Sequence, residues 1–567
     1  MGDGMESGRG LSRRTFLQRS GRGLAGLAAV GPASIMLAAC GGGSTAKSGG
    51  TALKPKQGGH LIYGMNDITG LNPMITHDTT SETMARLLFD PLIQVDNNQM
   101  PVPILASMPP TVSSDGLTYT FKLRSGVKWS DGTPVTSDDA LWTWQLIFQP
   151  QYAAIAYEYR GQAVETIDSV GAPDGATFQV KTKHVYAPFL ITFGTLPILP
   201  KHVLASVPVA QFNTMPFNSA PTVTNGQFKF VSWDKGSALT LARNESYYRG
   251  APHLAGLVNK VVVGDPSQSL KTGEIDVSDL LNPADISQFS GTTVKVQTSR
   301  EDEMLYMRPN LDPKKAGYQL FGDVRVRQAL MWALDRPAIV KGIFLDNTAV
   351  VADSIWAGGW AYDPNVKPKY THDVKKAGAL LDAAGWKKSS GGVRAKDGLQ
   401  MKFACVVNSG QQSWVQMVEA IQQQWSAIGV QMTLQSVQDS TWITQLEDTR
   451  EFDMIIDEKA FGLYDPDPSQ LLSSAAAQVG GENAGDYRSP EVDSLLQKAL
   501  QTVDRTERKQ AYAQLADLVM EQLPMLPVVA INNIWGVNTR VHGMNLGPTT
   551  QFQNAYWMKD VWLDGGQ

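Results

Sequence analysis

Residues 115–145, DGLTYTFKLRSGVKWSDGTPVTSDDALWTWQ, constrain this chain more than any other stretch. Side chains alternate from Leu117 to Leu123. Tyr119, Phe121 and Leu123 share one face and Thr118, Thr120 and Lys122 the other, which is the period of a half-buried strand. Ser125-Gly126 and Asp131-Gly132 turn the chain on either side of a short extended Val127-Lys128-Trp129. Thr136 precedes Asp139 by three residues, a capping-box spacing, and Asp138 and Asp139 bring negative charge to a helix start. The helix is predicted to run to about Phe148, ahead of Pro150. A strand, a compact double turn and a capped helix of this kind occur in many folds.

That unit is a small part of 567 residues, a length that needs two or three cores. Charged residues are only 18% of the chain, below the usual quarter, and 14 Trp and 16 Tyr supply aromatic surface for a pocket. The formal charge is −5 and there is no basic stripe, so phosphate backbones would be repelled and nucleic acid is excluded as a partner.

The first 39 residues read as a targeting segment, residues 1–39. Ser12-Arg13-Arg14-Thr15-Phe16-Leu17 fits the twin-arginine pattern, with Arg13 and Arg14 as the export signal. An Ala- and Gly-rich apolar run from Leu24 to Ala39 follows, too short and interrupted for a membrane-spanning helix. Leu37-Ala38-Ala39-Cys40 has the form of a lipobox, which makes Cys40 the expected lipidation site; an ordinary cleavage site with an incidental Cys is the plainer reading. Cleavage before Cys40 removes five Arg, one Asp and one Glu and takes the formal charge from −5 to −8. Residues 40–57 then form a lipidated flexible tether of low complexity. The other cysteine, Cys405, sits in the strand-like Met401–Val407 and reads as a small buried hydrophobe rather than a reactive thiol.

Catalytic signatures are sparse. The GxGxxG at Gly21 to Gly26 lies in the targeting segment and follows no strand. The sequence has no GxxxxGK[ST], CxxC, HExxH or GxSxG, and its seven His are scattered without ligand spacing. No enzyme activity, no cofactor and no metal site is expected.

The words of the sequence carry more than its periodicity. "DG-TYTF-LR-GVKWSDGTPVTSDD", followed in order by Leu196–His202, Tyr247–Pro252, Gly273-Glu274-Ile275-Asp276, Asp323–Leu330 with Leu334-Asp335-Arg336, and Arg488–Leu496, resembles the dipeptide and oligopeptide class of substrate-binding proteins of bacterial ABC importers, solute-binding protein family 5. Asn225–Phe230 keeps one Gly of a four-residue turn usual in that family. The resemblance covers nearly all of residues 58–565.

What it implies is a periplasmic-binding-protein-like α/β fold (type II, cluster C) of two lobes joined by two crossing strands, with a small α+β domain inserted in the first lobe. Lobe I is expected at residues 58–303 with the insertion at about 100–215, lobe II at 304–525, and a return to lobe I at 526–567, with separate strands at Leu526–Val529 and Trp535–Val537. Helix–Gly–strand order in the second lobe agrees with α/β layering. Such a protein is expected to be a monomer on the extracytoplasmic face of the membrane, closing on a peptide and delivering it to a permease and its ATPase.

By the same resemblance an acidic residue in a lobe II loop pairs with the peptide's α-ammonium. The corresponding stretch runs from Phe452 to Pro468 and contains Lys459, Phe461, Tyr464, Asp465 and Asp467. Asp465 is the best match for the anchor; an ungapped match puts Tyr464 there, and a Pro-rich turn shaped by Asp465 and Asp467 is the plain alternative. Trp360 and Tyr362 stand where relatives place a cleft loop, or pack as core. Asn66 and Asp67 open the loop after the first strand, which faces the ligand cleft in that family. An oligosaccharide, a nickel chelate or metallophore, or haem remains open as ligand, as do an envelope sensor or structural role and, last, a hydrolase assembled from scattered residues.

Overall fold

The computed structural model describes residues 54–565, apart from residues 77, 97–98, 150–159, 346–347, 357, 364, 461–464, 479–480 and 547–551. Arg13, Arg14 and Cys40 therefore lie outside the described residues, as do Phe461 and Tyr464.

One large mixed sheet organises the molecule. Its strands are β1 (His60–Met65), β2 (Phe228–Asp234), β3 (Ala238–Arg243), β4 (Gly256–Val261), β5 (Val277–Ser278), β6 (Val294–Pro309), β7 (Ala349–Val351), β8 (Lys402–Asn408), β9 (Gln431–Val437), β10 (Met454–Ala460) and β11 (Leu526–Asn538). The order across the sheet is β9-β8-β10-β6-β11-β5-β1-β4-β3-β2, with β7 on β11. Two large cores form on it, beside a small one at Leu270, Ile275, Phe289, Val294 and Ile534. One gathers Leu61, Tyr63, Leu257, Val277, Trp535 and Val537 in lobe I; the other gathers Met304–Met307, Leu330, Val406, Ile455 and Val528 in lobe II.

β6 and β11 belong to both. They pair antiparallel from Val294–Asn538 at the lobe I end to Met307–Leu526 at the lobe II end. The two expected terminal strands are thus one strand. Ile531, Asn532 and Asn533 in its middle are only half-buried, because they cross from one core to the other. Here the register slips, Arg300 pairing with Asn532 and Glu303 with Ile531, so that β6 bulges at the crossing.

The 115–145 stretch folds as its pattern requires. Thr118–Lys122 is a strand with Tyr119 and Phe121 buried, in a four-stranded sheet with Thr177–Thr182, Ile167–Asp174 and Thr111–Val112. Gly126 and Gly132 take φ of 75° and 93° at the two turns. Of the helices used below, α1 spans Thr79–Leu88, α2 Ser137–Phe148, α3 Val324–Trp332, α4 Pro490–Gln501 and α5 Arg505–Gln522. At the start of α2 the Asp139 carboxylate accepts from Thr136 N (2.9 Å), one half of a capping box. Trp144 of α2 then packs 5.4 Å from Phe178, filling the core of this side domain.

Several of the resemblance strings have structural reasons. Asp276, fully buried, accepts both arms of Arg540 (2.5 and 2.7 Å) and Ile62 N (3.0 Å), tying β1 to the C-terminal segment. Arg327 of α3 donates to Gln522 O at the end of α5 and to Phe321 O, satisfying helix-end carbonyls. Buried Arg336 donates to Ala352 O, Tyr370 O and the Asp353 carboxylate. The one Gly kept in Asn225–Phe230, Gly226, sits on the last turn of α1, where an added Cβ would lie 2.5 Å from Leu87 O. Cys405 is fully buried in β8, and burial pushes its thiol pKa far up, which makes it inert.

Candidate functional site at the lobe interface

Strand direction fixes where the site lies. β1 is parallel to β4 and β5, and β5 pairs antiparallel with the part of β11 that runs from the crossing into lobe I. The C-terminal ends of β1, β4 and β5 therefore point at the crossing. In lobe II, Glu303 of β6 pairs with Ala460 and Pro309 with Met454, so β10 also ends at the crossing, and β8 and β9 run parallel to it. Carboxyl ends of strands from both lobes face one space, the place where open α/β sheets bind ligands.

On the lobe I side, the loop after β1 carries two of the expected residues. Asn66 is exposed, and its carbonyl accepts from Asn259 Nδ2 (3.3 Å). The Asp67 carboxylate accepts from Gly236 N (2.7 Å), Ile68 N (2.9 Å) and Trp233 Nε1 (3.1 Å), so it braces the β2–β3 turn. A cavity of about 400 Å³ opens beside it, lined by Thr69, Asp78, Met215, Asn218, Trp233 and Lys235. Lys235 Nζ lies 4.7 Å from the centre of the Trp233 ring.

On the lobe II side, Lys459 near the end of β10 is buried and ion-paired with Glu482, not open to a ligand. Asp465 differs most from its expectation as an open anchor. Its carboxylate accepts a fork of two bonds from Arg508, Nη2–Oδ1 2.6 Å and Nη1–Oδ2 2.8 Å, and a third from Tyr512 OH at 3.3 Å. The Asp465 side chain is 4% exposed and that of Arg508 6%. Burial works against the Arg508 charge, but the Asp465 carboxylate outweighs it and leaves the Arg508 pKa above its ordinary value. Both charges are satisfied within the protein.

Trp360 roofs this pair. Its ring lies 5.6 Å from that of Tyr512, and the guanidinium carbons of Arg505 and Arg508 stand 4.8 and 4.9 Å from its centre. It is buried, and Tyr362 packs half-buried on the lobe II core. Trp356 Nε1 donates to Pro466 O (3.2 Å) and fixes the loop. Asp467 is different from Asp465. Its Oδ1 accepts from Ser469 N (2.9 Å) and Ser469 Oγ (2.5 Å), and among the described residues no cation is ion-paired with it. Burial raises its pKa; the Ser469 bonds lower it, and the neighbouring Asp465 charge raises it again.

Lobe I touches this wall directly. Ala187 N donates to Leu500 O at the end of α4 (2.7 Å), and Leu500 packs on the lobe I core. Arg505 Nη1 lies 3.0 Å from Met100 Sδ. The buried Tyr186 hydroxyl has its pKa raised by burial and by the charges of Asp467 and Asp465. Arg505, Arg508, Tyr512 and Tyr186 were not among the residues expected from sequence. The i, i+4 spacing of Arg508 and Tyr512, on one face of α5, is the only local signal that pairs them.

Among the described residues, no group of three His, Cys, Asp or Glu side chains is placed to hold a metal ion, and no helix is long and apolar enough to cross a membrane. Residues 100–481 match the family described as bacterial extracellular solute-binding proteins, family 5 Middle. The chain belongs to that family. Family 5 relatives match along nearly the whole length: the oligopeptide-binding protein AppA of Bacillus subtilis is 27% identical over 538 residues, covering 93% of this chain and 96% of AppA. The structure of AppA in complex with a nonapeptide superposes with a TM-score of 0.75, covering 90% of this chain and all of AppA's. NikZ from Campylobacter jejuni, in complex with Ni(L-His), is 28% identical with a TM-score of 0.73, covering 88% and 98% of the two chains.

Proposed function

We propose that this chain is the extracytoplasmic capture protein of an ABC importer, that it encloses peptides between its two lobes, and that it hands them to a permease driven by an ATPase. The observation that carries this is the geometry of β6 and β11: two crossing strands, bulged midway, with the carboxyl ends of both lobes' strands facing across them. Such a crossing supports hinge closure around a ligand. Peptide as the ligand class is favoured by the nonapeptide held by AppA over a shared length of 538 residues.

In this reading the protein is a monomer, anchored through a lipid on Cys40 after twin-arginine export directed by Arg13 and Arg14. It works as a binding protein without catalysis. The peptide lies between the Asn66–Asp67 loop of lobe I and the loop before Asp467 in lobe II, with Tyr464 and Phe461 in that loop and Trp360 and Tyr362 behind it. Its α-ammonium meets Asp467, whose carboxylate lacks the guanidinium that Asp465 has. Asp465 acts through the wall it builds with Arg508, and Lys459 through its pair with Glu482.

Mass spectrometry of solutes released from the purified protein tests the ligand class. Peptides are expected, and the radius of gyration is expected to fall when peptides are added back. Recovery of a sugar or a metal chelate, with no heat of binding from peptides, overturns the peptide assignment.

A further inference from the structure

We propose that Arg505 opposes closure of the lobes and so sets ligand affinity from outside the ligand site. The inference rests on the hinge closure proposed above.

Arg505 is the first residue of α5 in lobe II, and its guanidinium lies on the Trp360 ring, a contact within lobe II that does not depend on the other lobe. Where the lobes meet in this structure, lobe I covers it. Nη1 faces Met100 Sδ at 3.0 Å, a thioether that accepts hydrogen bonds weakly. Nη2 is buried with no hydrogen-bond partner. The carboxylate whose charge acts most strongly on it, Asp465 in lobe II, has both oxygens engaged by Arg508. In lobe I the Asp96 carboxylate accepts from Met100 N through Oδ1 (2.9 Å), and its charge supports the Arg505 cation less than that of Asp465 does. Burial lowers the Arg505 pKa, with the Asp465 charge opposing, in keeping with a cation short of compensation.

When the lobes part, water reaches Nη2 and the deficit disappears. A buried, unsatisfied donor costs free energy in the state that buries it. The hinge closure proposed above is what brings lobe I onto Arg505, so Arg505 biases the ligand-free protein towards opening. The nearby Ala187 N–Leu500 O bond (2.7 Å) and the packing of Leu500 on lobe I work in the other direction. The balance leaves closure to be decided by ligand contacts.

The test uses the full-length protein with one dye on each lobe, reading closure by single-molecule energy transfer, without ligand and then with a defined mixture of synthetic nonapeptides. Arg505→Met keeps the apolar stem over Trp360 and removes the guanidinium. Met100→Glu, at a position 47% exposed and therefore tolerant, supplies the missing carboxylate from the opposite lobe. Each single variant is expected to raise the ligand-free closed-to-open ratio on the order of tenfold, with apparent peptide affinity following. The double variant leaves a lone Glu in the contact and is expected to fall below the wild type. An unchanged or lowered ratio in both single variants overturns the proposal. If the wild type binds peptide by calorimetry without any change in energy transfer, the hinge reading fails instead, whatever the ligand-free ratios are.

Discussion

Asp465 and Arg508 meet as carboxylate and fork, 43 residues apart in sequence, with both bonds under 2.9 Å and both side chains almost fully buried. The pair joins the loop after β10 to the first turns of α5, directly beneath the surface that lobe I touches.

Asp465→Asn leaves the Arg508 guanidinium buried without a counter-charge. Breaking one partner of a buried pair costs about 3–5 kcal/mol. The expected outcome is a lower melting temperature for the lobe II transition, by a similar amount with and without peptide. A variant that melts like the wild type but has lost peptide binding would instead make Asp465 a ligand contact.

Asp467→Asn should do the reverse. Its carboxylate has no ion-paired cation to orphan among the described residues, so folding stability should stay close to wild type. Affinity for peptides with a free amino terminus should fall on the order of tenfold, the worth of one charge-assisted hydrogen bond. N-acetylated peptides should show little further loss. Calorimetry of both peptides against both proteins isolates the coupling.

Asp90 gives a pH signature. It is buried and accepts from the hydroxyls of Tyr247 (2.9 Å) and Tyr248 (2.7 Å). Burial raises its pKa from 3.8 to about 6, against the lowering effect of the two tyrosine bonds and Arg249. Because the folded value lies above the unfolded one, the folded state holds its proton more tightly. The contribution to stability is complete below pH 3.8 and is lost as pH rises to about 6. Asp90→Asn, which can still accept from both tyrosines, should flatten denaturation midpoints across that window. The difference should be on the order of 2–3 kcal/mol. A wild-type slope that survives the substitution would assign the effect elsewhere.

Cys40→Ala tests the anchor. Residues 41–56, GGGSTAKSGGTALKPK, contain no long apolar run, so the variant should move from the membrane fraction to the soluble extracytoplasmic fraction. Retention on the membrane in high salt would reject lipidation as the anchor.

Legibility from sequence followed the range of the forces involved. The 115–145 stretch was readable because its alternation, its Gly turns and its Thr136–Asp139 cap are all set within a few residues of chain. The crossing was not. Asn532 and Asn533 interrupt the apolar pattern of β11, so one strand read as two, and only the paired β6 makes their half-burial sensible. Asp465 was picked out, but its partner lies on another helix, and nothing local told an engaged carboxylate from an open one. The neighbouring Asp467 read as a turn former, and its Oδ1 accepts from Ser469 N two residues on.

The path of the chain through β6 and β11 also has a consequence in time. Lobe I is built from both ends of the polypeptide: its core takes Leu61 and Tyr63 near the start, and Trp535, Val537, Trp557, Met558 and Leu563 near the finish. Lobe II is an uninterrupted excursion between them. During synthesis, then, the lobe begun first waits for a strand made after lobe II, because it lacks β11 until residues 526–538 have left the ribosome. A nascent chain arrested before residue 526 lacks the strand that joins β6 to β7 in lobe II, and carries a lobe I that is still open between β5 and β6.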